Sequence, residues 1–459
     1  MPFPSVFQWG VATAAYQNEG SAARAGGGLS VWDMLCRQRG RIFDEQSGHV
    51  ACDHVKHWQE DVDLVAGLGA GMYRFSISWP RVLPEGVGRV NEEGMAFYER
   101  LVDALLARGV RPFITMHHWD LPYELFCRGG WLNRDSADWF AEYATLLGKR
   151  LGDRARLWAT FNEMSNIAIG YAGGGMAPGI KLGRHEVFRV MHHLLVAHGR
   201  GTDALRAAAG PSAEIGVAHG WWVGVPAGDS PEDLEAARAF SFSVGDDPDS
   251  VCQKTAWYAD PILRGQYPAD GLARCEEYLP AGWEKDMPAI HRPQQCLGLN
   301  LYMGCRVRGD SQGGFEVLPL PAGHPLNRLK WPILPEVMYY GPVFAHQRYG
   351  LPIRICENGA PGGDRIARDG KIHDADRIDF LAAHIAQLRR AVEAGIDVRS
   401  YCVWTLMDNF EWAAGYDPRF GLVHVDFQTQ KRTPKDSYHW YQHVIEGNGG
   451  DASLRAALS

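Results

Sequence analysis

The sequence has no run of about 18 uninterrupted apolar residues, the length a bilayer-spanning helix needs. Its amino terminus, Met-Pro-Phe-Pro-Ser-Val-Phe, lacks the basic segment and apolar stretch of an export signal. A soluble, cytoplasmic protein is expected. Positive charge is not in excess: 46 Lys and Arg stand against 54 Asp and Glu, for a formal net charge of -8. Phosphate backbones and acidic lipid surfaces would find no basic patch, so neither nucleic acid nor membrane is an expected partner. CxxC pairs are missing, and the nine cysteines, an odd number, follow no regular framework, which predicts free thiols. No HExxH, GxxxxGK[ST] or strand-linked GxGxxG occurs, so neither a metal nor a nucleotide cofactor is expected. His54, His57, His117, His192 and His193 accordingly read as structural or surface residues, and Gly26–Gly28 and Gly173–Gly175 as loops. No low-complexity tract or linker divides the chain, and one domain over residues 1–459 is expected.

What is present is regular alternation. Eight short, β-rich apolar runs recur: Phe7 to Ala14, Met72 to Trp79, Arg111 to His118, Arg156 to Asn162, Glu214 to His219, Cys296 to Tyr302, Ile353 to Glu357 and Val398 to Trp404. Helical periods lie between several of them. In Asn91 to Arg108 the residues Phe97, Leu101, Leu105 and Leu106 are read as one apolar face with Gly109 as the stop. In Asp376 to Ala394 the inward set is Ile378, Leu381, Ile385, Leu388 and Val392. Alternating strand and helix implies a parallel sheet, and eight such units imply closure into a (β/α)₈ barrel with long βα loops at its mouth. The segment 304–350 is too long for a simple connection and is expected to be a functional loop beside that mouth.

In such barrels the reactive groups stand at the carboxyl ends of the strands, where side chains converge above a packed interior. Here those ends carry Gln17 and Glu19 after the first run, Arg74 in the second, and His117-His118-Trp119-Asp120 after the third. Asn162-Glu163 close the fourth and Asn300-Leu301-Tyr302 the sixth. Glu357-Asn358-Gly359 close the seventh, and Trp404, followed by Glu411-Trp412, the eighth. Glu163 and Glu357 would face one another across the mouth. Paired carboxyl groups are what glycoside cleavage requires, one protonated to donate to the leaving oxygen and one ionised to attack; about 5 Å between them gives retention and a wider gap inversion. Trp119, Trp404 and Trp412 offer flat apolar faces to a pyranose, while Gln17, His118, Asn162 and Glu411 offer hydrogen bonds to its hydroxyls.

These residues stand in ten motifs that run in order along nearly the whole chain, from about Phe7 to Tyr441. They are AYQNEG (15–20), CDHVKHWQEDVDLV (52–65), YRFSISWPRVLPEG (73–86), HHWDLP (117–122) and GGWLNRDSADWFAEYA (129–144). TFNE (160–163), GLNLY (298–302), ICENG (355–359), VWTLMDNFEWAAGYDPRFGLVHVD (403–426) and TPKDSYHWY (433–441) follow. The set resembles glycoside hydrolase family 1, the β-glucosidase family. Carried over residue by residue, the resemblance implies Glu163 as acid/base and Glu357 as nucleophile, with Arg74 and Tyr302 in contact with Glu357. It implies a substrate-binding set of Gln17, His118, Trp119, Asn162, Asn300, Trp331, Trp404, Glu411, Trp412 and Phe420. The implied activity is removal of terminal non-reducing β-D-glucosyl residues from cellobiose, short cello-oligosaccharides and aryl or alkyl β-glucosides by double displacement, with glucose as product. The chain departs from the family pattern at Met164, where Pro is usual, at Leu301 in place of a Tyr, and at Val337 in place of a Gly. Neither catalytic group is lost by these changes.

Blander readings compete at several positions. Trp58, Trp139 and Trp158 read as core aromatics, Trp331 as either core or sugar platform. Cys356, next to Glu357 on a strand, is expected to point outward against a helix, since neighbouring strand residues face opposite sides. Two other functions share the architecture. A phospho-β-glycosidase would need a cationic or hydroxyl-rich pocket, but the loop after Trp412 reads Ala413-Ala414-Gly415-Tyr416-Asp417. A carbohydrate-binding protein without turnover could dispense with one carboxylate, and both are present. Homo-oligomerisation is left open by the sequence.

Overall fold

The computed structural model describes residues 2–310 and 313–450; the remainder of the expected 1–459 domain, at Met1, 311–312 and 451–459, lies outside the described residues. Eight parallel strands close on themselves: β1 Gln8–Ala12, β2 Met72–Ser76, β3 Arg111–His117, β4 Leu157–Asn162, β5 Glu214–Gly220, β6 Leu297–Asn300, β7 Ile353–Asn358 and β8 Val398–Trp404. Their spatial order is their chain order, and β1 completes the ring by pairing with both β2 and β8. All eight expected strands are therefore present and form the expected (β/α)₈ barrel.

Side-chain alternation divides two cores. Val11, Tyr73, Ile114, Trp158, Val217, Leu299, Ile355 and Val403 belong to the large outer core, under the helices. Ala12, Met72, Phe113, Leu157, Ala159, Ala218, Cys356 and Cys402 form a separate cluster that plugs the barrel beneath its mouth. Cys356 thus packs inward, contrary to the outward position expected of it. The cause is an irregularity: β7 shifts register against β6 between Ile355 and Glu357 and against β8 between Ile355 and Asn358. Such a shift lets two consecutive residues serve one face. Strand β4 has a similar shift against β5 between Ala159 and Asn162.

The helix Glu92–Ala107 buries Phe97, Leu101 and Leu105, and Glu92 and Glu93 in its first turn favour its start. Leu106 was expected on the same face but is 38% exposed. It lies about half a turn round from Phe97 on a 3.6-residue helix. In Ala375–Glu393 the residues Ile378, Leu381, Ile385 and Leu388 are buried and Val392 half-buried. Trp158 is buried in the outer core, whereas Trp58 and Trp139 are only half-buried against it.

The 304–350 segment is only partly loop. Strand Gly304–Gly309 pairs in parallel with Val223–Pro226 and antiparallel with Phe315–Val317, an extended excursion follows, and Val337–Tyr349 is helix. The last of these is the covering helix that a βα unit needs before β7, so the segment expected as one functional loop is in part barrel framework. No helix among the described residues is long and apolar enough to cross a membrane, and none of the nine cysteines is in a disulfide.

Candidate active site

A cavity of about 410 Å³ opens at the carboxyl ends of the strands. Its walls include His118, Trp119, Glu163, Asn300, Tyr302, Trp331, Glu357, Trp404, Glu411, Trp412 and Phe420. Eleven of the fourteen residues singled out from the sequence therefore converge on one pocket. The other three, Gln17, Arg74 and Asn162, are fully buried immediately behind it and connect to its walls by hydrogen bonds.

Glu357, at the end of β7, receives Arg74 Nη1 on Oε1 at 2.5 Å and the Tyr302 hydroxyl on Oε2 at 2.6 Å. Burial pushes this carboxyl up, while the guanidinium, the phenol and the Asn300 amide pull against it. Tyr302 itself is held well above its usual range by burial and by the Glu357 charge, so it remains a protonated donor. Glu163, at the end of β4, accepts from Asn300 Nδ2 on Oε1 at 2.7 Å and from Asn166 Nδ2 on Oε2 at 2.5 Å. Burial and the neighbouring Glu357 charge push it up to about 8. The asymmetry assigns the charge. Glu357 has a formal cation against it and Glu163 has only amides, so Glu357 ionises first and its charge keeps Glu163 protonated.

Asn162 organises the floor. Its Oδ1 accepts from Arg74 Nη2 at 2.7 Å and from Asn300 Nδ2 at 3.0 Å, which turns its Nδ2 toward His118 Nε2 at 3.1 Å. His118 is then an acceptor at Nε2, and burial keeps its ring neutral. Gln17 donates from Nε2 to Phe410 O and to Glu411 Oε2, at 3.0 and 3.3 Å, while its Oε1 has no protein partner. Glu411 is raised to about 8 by burial and by the Glu357 charge. The Trp119 indole donates to Asn162 O at 2.8 Å, and the Trp404 ring lies nearly parallel to His118, with centroids 5.8 Å apart. Trp331 stands edge-on to Tyr302, half-buried in the pocket wall. Glu163, Trp119 and Trp412 all have positive φ, a conformation most side chains avoid and one that gathers at functional sites.

Two glycines make this arrangement fit. A Cβ on Gly220 would come within 2.8 Å of the Glu163 carboxyl, and a Cβ on Gly359 within 1.8 Å of Trp404 O. Gly359 belongs to a motif recognised in the sequence. Gly220, Trp221 and Trp222 also line the pocket but were not among the expected site residues; the end of the fifth strand carries no carboxyl group to mark it. Asn166 was missed as well, although it lies one helical turn beyond Glu163. Glu19, noted at the first strand end, turns away into a buried pair with Arg81 at 2.7 Å. Of the histidines read as structural or surface residues, His54 meets Asp61, His192 lies between Tyr267 and Asp286, and His193 meets Trp131 O, whereas both ring nitrogens of the buried His117 lack a hydrogen-bond partner among the described residues.

A closed parallel barrel with two unequal carboxyl groups and a belt of tryptophans at its carboxyl mouth defines the class of barrel glycosidases. The chain belongs to glycosyl hydrolase family 1, whose model matches residues 1–450. It is 42% identical to β-glucosidase A of Thermotoga maritima, over 97% of this chain and 98% of that one. It is 43% identical to the 1,4-β-D-glucan glucohydrolase of Thermotoga neapolitana, over 97% and 99% of the two chains. Among solved structures, the Thermotoga maritima β-glucosidase in complex with glucoimidazole superposes with a TM-score of 0.89 at 41% identity, covering 98% of this chain and 100% of that one.

Proposed function

We propose that this protein is a retaining β-glucosidase, which cleaves terminal β-D-glucosyl residues from small glycosides with Glu357 as nucleophile and Glu163 as acid/base. The observation that carries the reading is the unequal electrostatic setting of the two carboxyl groups: a guanidinium at 2.5 Å from one, only amides on the other. Family membership and the β-glucosidase relatives support the reaction class. Arg74 and Tyr302 hold Glu357 ionised and aimed. Glu163 donates its proton to the departing oxygen as Glu357 closes on the anomeric carbon and forms the glycosyl ester. Glu163, now a base, takes a proton from water, and the water displaces Glu357 with net retention. The glycone lies on Trp404, with Trp119, Trp412 and Phe420 around it. Gln17, His118, Asn162, Asn300 and Glu411 hydrogen-bond its hydroxyls, and Trp331 borders the exit. The unpartnered Gln17 Oε1 is a ready acceptor for one of those hydroxyls.

Among the described residues no Lys or Arg lines the pocket, and Ala413 and Ala414 stand where a phosphate would need donors, so the unphosphorylated sugar is favoured. The test is hydrolysis of nitrophenyl β-glucoside followed by NMR of the first-formed sugar, beside its 6-phosphate. β-Glucose as first product is expected. An α-anomer, preference for the phosphate, or binding of cellobiose with no turnover of aryl glucosides from pH 4 to 8 would each overturn the assignment.

A further inference from the structure

Resting on that reading, we propose that Asn166 is a positioning residue for the acid/base: its amide binds the ionised form of Glu163 and so sets the acid strength with which Glu163 protonates the leaving oxygen. Asn166 stands on the helix Met164–Tyr171, three residues beyond Glu163, and its Nδ2 donates to Glu163 Oε2 at 2.5 Å. Among the described residues this is its one side-chain hydrogen bond. The other carboxyl oxygen is held differently. Asn300 Nδ2, which donates to Oε1 at 2.7 Å, is shared with Asn162 Oδ1, and that oxygen is fixed in turn by Arg74 Nη2 at 2.7 Å. Asn300 also acts on Glu357, so any change there disturbs both carboxyl groups. Asn166, half-buried in the pocket wall, reaches Glu163 alone.

An amide N–H binds a carboxylate more strongly than a carboxylic acid, so it favours the ionised form. When Glu163 passes its proton to the glycosidic oxygen, as the bond from that oxygen to the anomeric carbon breaks, the charge left on the carboxylate lies against the Asn166 amide. The first step is helped. In the second step Glu163 must take a proton from water, and the same hydrogen bond makes it a weaker base. The charged groups that face Glu163 come from other elements: Glu357 on β7 strengthens its hold on the proton and Arg74 on β2 weakens it. Glu411, after β8, feels the Glu163 charge in return, and Tyr302, after β6, stays a neutral phenol. None of these stands on the helix that carries Asn166.

The experiment is the pH dependence of kcat/KM from pH 5 to 10 for the full chain and for Asn166→Leu, Asn166→Asp and Glu163→Gln, on methyl and nitrophenyl β-glucosides. Leucine removes the N–H at similar volume, so the alkaline limb should move up by about one unit. At pH 6 the same variant should lose about tenfold in kcat/KM on methyl glucoside and less on nitrophenyl glucoside, which needs less proton donation. Aspartate puts a like charge where the donor was, and its limb should rise further than that of the leucine variant. A residue that only packs the helix would lower the rate at every pH and leave the limb in place. An unmoved limb in Asn166→Leu would therefore overturn the proposal, as would a downward shift, which would mean that the amide accepts the acid's proton. If Asn166→Leu does not fold, the isosteric Asn166→Asp decides by the same limb. Glu163→Gln should erase the alkaline limb on nitrophenyl glucoside. A limb that persists there would sink the assignment of Glu163 as acid, whereas an erased limb beside an unmoved one in Asn166→Leu would sink only this inference.

Discussion

Glu163 and Glu357 are the same side chain, and what separates them is a single cation. Arg74 is buried with its guanidinium between Glu357 and Asn162, so removal of Glu357 should abolish turnover. In Glu357→Ala, azide should restore cleavage with formation of the inverted α-glycosyl azide, observable by NMR, because a small anion can occupy the vacated face. Glu163→Ala should instead cost about 10² to 10⁴ in rate on poor leaving groups and much less on activated phenols; equal losses would contradict the roles. The free enzyme should also lose kcat/KM as pH rises through about 8, where Glu163 gives up its proton. The acid limb belongs to Glu357. Tyr302→Phe removes a hydrogen bond that favours the ionised form, so that limb should move to higher pH while the alkaline limb stays near its place.

At the level of elements, the two strands that present the carboxyl groups are the two whose register slips just before their ends, β4 after Ala159 and β7 after Ile355. A strict period of two would send Cys356 and Glu357 to opposite faces, and it misplaced Cys356 for that reason. Helical periodicity proved a better guide in Ala375–Glu393, where each expected inward residue is at least half-buried, than at Leu106, whose spacing from Phe97 puts it on the far side. The end of β5 is as close to the chemistry as any other. Gly220→Ala would press a methyl group into the Glu163 carboxyl and displace the acid. A fall of about tenfold or more in kcat/KM on alkyl glucosides is expected, with a smaller fall on nitrophenyl glucoside because a good leaving group needs less proton donation. Equal falls on both would mean that the substitution acts elsewhere.

Across the whole molecule, the loop after β8, which carries Glu411, Trp412 and Phe420, is tied to distant parts of the chain by a buried charge network. Lys435, fully buried ahead of the last helix Asp436–Glu446, donates to Asp408 at 2.7 Å and also to Asp364, while Arg419 meets Asp408 at 2.7 Å. Lys435→Met would leave two buried carboxylates short of a partner, at a cost of about 3–5 kcal/mol, seen as a lower Tm in calorimetry at pH 7. Burial works against the Asp408 charge, but Lys435 and Arg419 hold it below the usual carboxylate range. Its contribution is therefore present above the unfolded value and lost as pH falls through the folded one, so the gap in Tm between wild type and variant should narrow below about pH 4. A constant gap from pH 7 to pH 3 would argue that packing, not charge, is what Lys435 supplies.

The eight strands, their parallel closure and the convergence of Glu163 and Glu357 were determined by the sequence alone, because strand and helix periods are local and the barrel brings every strand end to one mouth. The tertiary structure decided which carboxyl group ionises first and which way Cys356 points, and it brought Trp222 to the pocket and buried Lys435 between two aspartates. Each of these depends on neighbours tens to hundreds of residues away, and on small shifts of register that no local period records.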